Sequence, residues 1–217
     1  MTGSSAIGVL ISGSGTNLQA LIDAQVADRL AGGRIAVVVS NRADAPGLQR
    51  AKESGIPTLV VDHRRRGRED FEREVTAGLE HHRVELVVLA GFMRVLTPAF
   101  IDHWKGRLIN VHPALLPAFP GTHAQRQALE FGVHVTGCTV HFVDTGVDTG
   151  PIILQRSVPV HPGDSEEGLK ARILAQEHEI LPEAVRLFIS GRLRVEGRHV
   201  RIVDAEVPRK PTSSARP

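Results

Sequence analysis

Asn110 and His112 place an amide and an imidazole two residues apart in the run Leu108-Ile109-Asn110-Val111-His112-Pro113. Alternate side chains of a strand share a face, so this pair points one way while Ile109 and Val111 point the other. At a rise of ~3.3 Å per residue their Cα atoms stand about 6.6 Å apart, wide enough to flank one reacting carbon. An amide N–H stabilises an oxygen that gains negative charge, and an imidazole moves a proton near neutral pH. Further along, Asp148 opens the turn Asp148-Thr149-Gly150-Pro151 and offers a carboxylate that favours the charged imidazole. Such a trio suits acyl transfer to a nucleophile that the substrate supplies. Singly, each residue has a plainer use: an Asn cap, a His bonded to backbone, an Asp shaping a turn. Grouped at element ends, they point to chemistry.

A second element precedes this one. Ser12-Gly13-Ser14-Gly15-Thr16-Asn17 joins a short apolar strand to an amphipathic segment. Small residues let a ligand approach the backbone, and a helix N-terminus offers unpaired N–H groups and positive potential to an anion. The turn is not the dinucleotide pattern, since Leu18 stands where a third glycine belongs, and no Gly-Lys-Ser/Thr makes it a P-loop. It suits a monophosphate, with plain helix capping by Ser or Thr as the alternative. Residues 115–123, rich in proline and apolar side chains, suit either a pocket wall for a flat ring or a stiff loop. Cys138 reads as a small buried hydrophobe. His123 and His141 read as structural or solvated, and the Arg64-Arg65-Arg66-Gly67-Arg68 run as a mostly solvated loop with one arginine available to an anionic ligand. Glu177-His178 on a long helix suits a surface pair or a reach into the crevice.

The elements that must position these residues follow from the hydrophobic period. Apolar runs at 7–11, 35–39, 58–61, 85–90 and 108–112 read as buried strands, with further strands over 135–143 and 151–158. Helical spacing marks 16–30, 45–54, 69–82, a short helix opened by Thr97-Pro98, 123–131, and a long helix over 165–189 that contains Pro182. Residues 193–203 read as a terminal hairpin with Glu196-Gly197 at its turn. Alternation of this kind predicts an α/β fold: a doubly wound, mostly parallel twisted sheet, Rossmann-like, with helices on both faces and a C-terminal β-hairpin. Ligands bind such sheets beyond the carboxyl ends of the strands, where the glycine turn and Asn110/His112 both fall. One crevice is expected to hold both.

Composition narrows the function classes. At 217 residues, 41% hydrophobic and 23% charged, the chain suits a single domain over 1–206. Within it we expect a phosphate-binding half over 1–105, a catalytic half over 106–206, to which the resemblance stated below adds a folate, and a disordered tail over 207–217. Net charge is +2 and aromatic content 4%, which argues against a nucleic-acid partner. One cysteine excludes an internal disulfide and a multi-cysteine zinc site, and no metal is expected. With no spanning run and no signal-peptide pattern at Met1 to Ala6, a cytoplasmic protein away from membranes is expected, as monomer or homodimer.

Four blocks also carry a resemblance. They are Leu10-Ile11-Ser12-Gly13-Ser14-Gly15-Thr16-Asn17-Leu18-Gln19-Ala20, Leu89-Ala90-Gly91-Phe92-Met93-Arg94, Asn110-Val111-His112-Pro113-Ala114-Leu115-Leu116-Pro117 and Asp148-Thr149-Gly150-Pro151. Over about residues 7–189 the chain resembles the folate-dependent phosphoribosylglycinamide formyltransferases of purine biosynthesis. The last three blocks are shared more loosely by other 10-formyltetrahydrofolate enzymes; the first points to the glycinamide ribonucleotide branch. The resemblance implies formyl transfer from 10-formyltetrahydrofolate, as cosubstrate, to the amine of glycinamide ribonucleotide. It implies Asn110, His112 and Asp148 as catalytic residues. It implies Gly15, Thr16 and Asn17 around the ribonucleotide phosphate, and Glu177 as a further substrate-binding residue. Toward the folate it implies Arg68, Met93, Arg94, Val95, Leu96, Asn110 and Asp144, with 144–148 as a facing loop. The rival readings are a formyltetrahydrofolate hydrolase, a methionyl-tRNA formyltransferase, and a non-catalytic nucleotide-monophosphate sensor. The first two families carry an additional N-terminal or C-terminal domain, for which little chain is left outside 7–189.

Overall fold

A computed structural model describes residues 4–64 and 66–204. Five strands form a parallel block: β1 (Ala6–Ile11), β2 (Arg34–Ser40), β3 (Thr58–Val60), β4 (Leu86–Leu89) and β5 (Leu108–His112). Between them run α1 (Thr16–Val26), α2 (Gly47–Glu53), α3 (Arg68–His81) and α4 (Pro98–His103). Then come α5 (Ala124–Phe131), β6 (Val135–Phe142), β7 (Ile152–Pro159), α6 (Glu166–Ile189), β8 (Leu193–Glu196) and β9 (His199–Ile202). All nine strands join one sheet in the order β3-β2-β1-β4-β5-β6-β7-β9-β8. The β6 strand is antiparallel to both β5 and β7, while β9 meets β7 in parallel and β8 in antiparallel pairing. The expected doubly wound, mostly parallel architecture with a terminal hairpin is therefore present.

The apolar strands are buried because helices cover both faces. One core unites Ile109 and Val111 with Leu18, Leu21 and Ile22 of α1, Leu48 of α2, and Leu169, Ile173 and Leu181 of α6. The other unites Leu108 and Val87 with Phe71, Val75 and Leu79 of α3 and with Phe100 and Ile101 of α4. Leu108 thus shows which way Asn110 and His112 face, since the three share one side of β5. They look toward the α3–α4 layer.

Element ends differ from the hydrophobic pattern where backbone geometry intervenes. Helix α1 stops at Val26 rather than residue 30, because Asp28 and Ala31 take positive φ while Leu30 still buries its side chain. The second helix begins at Gly47 rather than residue 45, and the third includes Arg68. Helix α6 keeps its full length despite Pro182, and starts at a Ser165 cap whose hydroxyl accepts from the Gly168 N–H. The tail expected over 207–217 lies outside the described residues.

Candidate active site

The end of β5 brings three of the expected residues together. His112 is 4% exposed. Its Nδ1 stands 3.3 Å from Asp148 Oδ2, and its Nε2 lies 2.8 Å from the Phe119 carbonyl oxygen. Both ring nitrogens therefore face acceptors, and only the protonated ring satisfies both. Burial opposes that proton. It pulls the His112 imidazole below its ordinary value, and the raising effects of Asp148 and the Phe119 carbonyl do not cancel it. Desolvation therefore works against the charge that Asp148 is expected to support on His112.

Asp148 has the opposite balance. Burial raises its carboxyl, but His141, the Gly121 N–H and His112 together hold it below the ordinary carboxylate value. The Gly121 N–H donates to Oδ2 at 2.7 Å, and His141 Nε2 stands 3.7 Å from Oδ1. Asp148 itself adopts φ +54°, a left-handed conformation that neighbouring contacts must hold in place.

His141, which the sequence reading set aside as structural, completes the group. It pairs across from Asn110 in the β5–β6 register. Its Nδ1 lies 2.8 Å from the Phe142 carbonyl, which can only accept, so Nδ1 carries the hydrogen. In the neutral ring Nε2 then accepts from the Asn110 amide at 3.2 Å. That bond orients Asn110 with its NH2 group on the His141 side. Among the described residues Asn110 makes no other side-chain hydrogen bond, which leaves an N–H for an incoming oxygen.

Two cavities flank this strand end, one lined by Asn110 and the other by Val111 and Pro113. The first, of about 150 Å³, is lined by Phe92, Arg94, Val95, Leu96, Asn110, His141 and the segment from Val143 to Asp148. It gathers the expected folate residues Arg94, Val95, Leu96 and Asp144. Thr97, which follows them, is clamped by Glu72: the buried carboxylate accepts from Thr97 N–H at 2.8 Å and from the Thr97 hydroxyl. Two expected folate contacts lie elsewhere. Arg68 opens α3 as an exposed residue and lines neither cavity, because the helix begins at it. Met93 lines the second cavity, its N–H donating to Ser12 Oγ at 2.8 Å.

The second cavity, of about 280 Å³, is lined by Ser12 to Asn17, Val111, Gln125, Lys170 and Glu177 among others. Gly15 is the N-cap of α1 at φ +70° and provides no side-chain cap, so the first N–H groups of the helix are left for another acceptor. This sets aside plain Ser/Thr capping. The glycine is needed sterically as well, since a Cβ there would stand 2.6 Å from Gly47 Cα. Helix α2 braces the turn: Gly47 N–H donates to Gly13 O at 3.0 Å and Arg50 Nε to Ser14 O at 2.9 Å. Asn17 Nδ2 donates to Glu177 Oε2 at 2.7 Å, and both side chains are buried. Burial raises the Glu177 carboxyl, against the Asn17 bond and the Lys170 charge.

Sequence reasoning missed Gln125, Lys170 and His141 as site residues. Cross-strand register exposes His141, and the α6 face shared with Glu177 exposes Lys170; neither is a local motif. Each cavity draws residues from both sides of residue 105: Arg94 to Leu96 with Asn110 and Asp148 in the first, Ser12 to Asn17 with Lys170 and Glu177 in the second. Cys138 is fully buried and its thiol is pushed up to about 12 by desolvation, consistent with an inert packing role. Among the described residues no cluster of His, Cys, Asp and Glu suits a metal ion. A roomier hollow of about 610 Å³ between α3 and α4 holds none of the strand-end groups, so volume does not locate the chemistry here.

A profile of the formyl transferase family matches residues 6–185. The chain belongs to the formyl transferase family. It is 48% identical to phosphoribosylglycinamide formyltransferase of Escherichia coli (strain K12), over 86% of this chain and 88% of that one. It is 53% identical to the trifunctional purine biosynthetic protein adenosine-3 of Drosophila pseudoobscura pseudoobscura, over 87% of this chain; the match spans 14% of that longer protein. The fold superposes on glycinamide ribonucleotide transformylase 1 from Symbiobacterium toebii with a TM-score of 0.91 and 54% identity, covering 94% of this chain and 96% of that one.

Proposed function

We propose that the chain transfers the formyl group of 10-formyltetrahydrofolate to the primary amine of glycinamide ribonucleotide, a step of purine biosynthesis. The observation that carries this reading is the pair of unlike cavities flanking β5 beside the Asn110–His112–Asp148 group: a loop-walled pocket lined by Asn110 and Asp148, and across the strand an uncapped helix end in a cavity lined by Val111. The names of the E. coli and S. toebii relatives agree with it. The α1 N-terminus, with Gly15, Thr16 and Asn17, holds the phosphate. Glu177, fixed by Asn17, binds the ribonucleotide beside it. Arg94, Val95, Leu96 and Asp144 hold the folate; Arg68 and Met93 are further folate contacts only if they move toward the pocket.

The chemistry follows from the strand end. The substrate amine attacks the formyl carbon directly, so no enzyme nucleophile is needed. Asn110 donates its free N–H to the carbonyl oxygen as that oxygen becomes an alkoxide. His112 exchanges its Phe119 partner for the same oxygen, and its weakly held proton makes it a stronger acid there. Asp148 stabilises the imidazolium at this stage and organises proton movement toward the departing folate nitrogen. Each oxyanion donor contributes roughly 2.7–4 kcal/mol.

We place this activity in one domain over 1–206, acting on small molecules in the cytoplasm as a monomer or homodimer. Among the described residues no helix is long and apolar enough to cross a membrane. The test is a spectrophotometric assay with 10-formyltetrahydrofolate and, separately, glycinamide ribonucleotide, charged initiator tRNA and water as acceptors. Turnover with the ribonucleotide is expected; turnover only with tRNA or water would overturn the reading.

A further inference from the structure

The terminal hairpin lies beyond residues 6–185, where the family profile ends, yet it reaches the catalytic loop. Strands β8 and β9 pair from Leu193↔Ile202 to Glu196↔His199, and Gly197 at φ +61° turns the chain between them. The hairpin joins the sheet at Ile152↔His199, just past the Asp148-Thr149-Gly150-Pro151 turn. The residue before that junction, Arg198, donates from Nη2 to the Thr149 carbonyl at 3.0 Å. Thr149 is thereby gripped at both ends, because its hydroxyl donates to Asp144 Oδ1 at 2.6 Å. Gly150 allows the close turn that follows; a Cβ there would lie 1.8 Å from the Phe142 carbonyl.

We propose that Arg198 is a positioning residue: by holding the Thr149 carbonyl it keeps Asp148 in the strained conformation that faces His112 and His141. The need for such a strut is local. Asp148 sits at φ +54°, a conformation that persists only where its surroundings over-determine it. Its inner contacts come from Gly121, His112 and His141. Arg198 grips the next residue from the outside. Among the described residues its guanidinium makes no ion pair, and its hydrogen bond goes to this carbonyl alone. The titratable groups around Asp148 are His112, His141 and, within the loop, Asp144, so a displaced Asp148 removes the carboxylate that supports the His112 proton.

The inference rests on the proposed formyl transfer only for its kinetic readout; an NMR titration of the His112 imidazole reads the strut without any substrate. In Arg198→Ala we expect the His112 pKa to fall. The basic limb of kcat/KM should move to lower pH, and kcat should drop about five- to tenfold, the scale of one lost charge-assisted bond. Arg198→Lys should recover much of this. Arg201→Ala removes an exposed arginine of the same hairpin that pairs with Glu196, and should leave all three readouts at wild type. An unchanged His112 titration in Arg198→Ala overturns the strut, as does an equal effect in Arg201→Ala, which would trace the change to the hairpin as a whole. Absence of ribonucleotide turnover in the wild type alongside a shifted titration would count against the proposed function and leave the strut standing.

Discussion

The two cavities at the end of β5 are built from different materials. On the proposed ribonucleotide side the walls are regular elements: the end of β1, the uncapped start of α1 and the face of α6, joined by the buried Asn17–Glu177 bond. On the proposed folate side they are loops over 91–97 and 143–150, with Val95 and Val147 largely exposed and side-chain braces in place of ladder bonds. A phosphate needs fixed dipoles, which a helix end supplies once the helix is packed. A flat ring needs apolar surface that opens and closes on it, and loops supply that at low local stability. The end of β5 separates the rigid wall from the adaptable one, with Asn110 on the loop side and Val111 on the helix side, so each wall should control its own ligand and the strand end should control the rate.

The largest effects should come from that shared end. His112→Ala and Asp148→Asn should each lower kcat by about a hundredfold or more without unfolding the protein, as read by turnover and thermal melting. Near-wild-type turnover in either variant would remove the residue from the mechanism. Asp148 raises the His112 pKa while burial lowers it. Among active Asp148 variants the basic limb of kcat/KM should therefore move to lower pH; a move to higher pH would mean the carboxylate does not support that proton.

Next should come the rigid wall. Glu177→Gln keeps the shape but loses the charge of the buried pair, and should raise KM for the ribonucleotide about tenfold or more while leaving the folate KM alone. A matching rise in the folate KM would break the separation of the two walls. Lys170→Ala should raise the ribonucleotide KM a few-fold, since an exposed cation near a phosphate is screened by salt. That effect should vanish with an acceptor lacking the phosphate; if it persists, Lys170 serves Glu177 instead.

The smallest effect belongs to the adaptable wall. Glu72→Gln keeps one acceptor for Thr97 and loses the charge-assisted clamp, so the folate KM should rise about three- to tenfold with the ribonucleotide KM unchanged. Equal shifts in both would show that the loop over 91–97 transmits to the phosphate side, through the Met93 N–H on Ser12.

Much of this was legible before any coordinates. Apolar runs place the strands because a strand covered on both faces cannot afford polar alternation, and Asn110/His112 declare themselves by interrupting one such run. Gly15 is legible as a ligand turn because small residues between a strand and a helix leave backbone N–H groups open to an anion; its close approach to Gly47 is a second reason that only the fold shows. Other features depend on what meets across the fold. His141 is one of several histidines until the β5–β6 register sets it opposite Asn110. Arg68 sits in a basic run that suggests an anion contact, yet its place at the start of α3 leaves it outside both cavities.

The sequence by itself thus determined the elements, the faces of β5 and the chemical types at its end, because period, capping and glycine sterics act within a few residues. Tertiary structure alone decided the rest. It set Glu177 on Asn17 across 160 residues, split the expected crevice into two unlike walls, and let burial outweigh Asp148 in setting the proton on His112. Those outcomes depend on register, packing and desolvation, which exist only after distant segments share one interior.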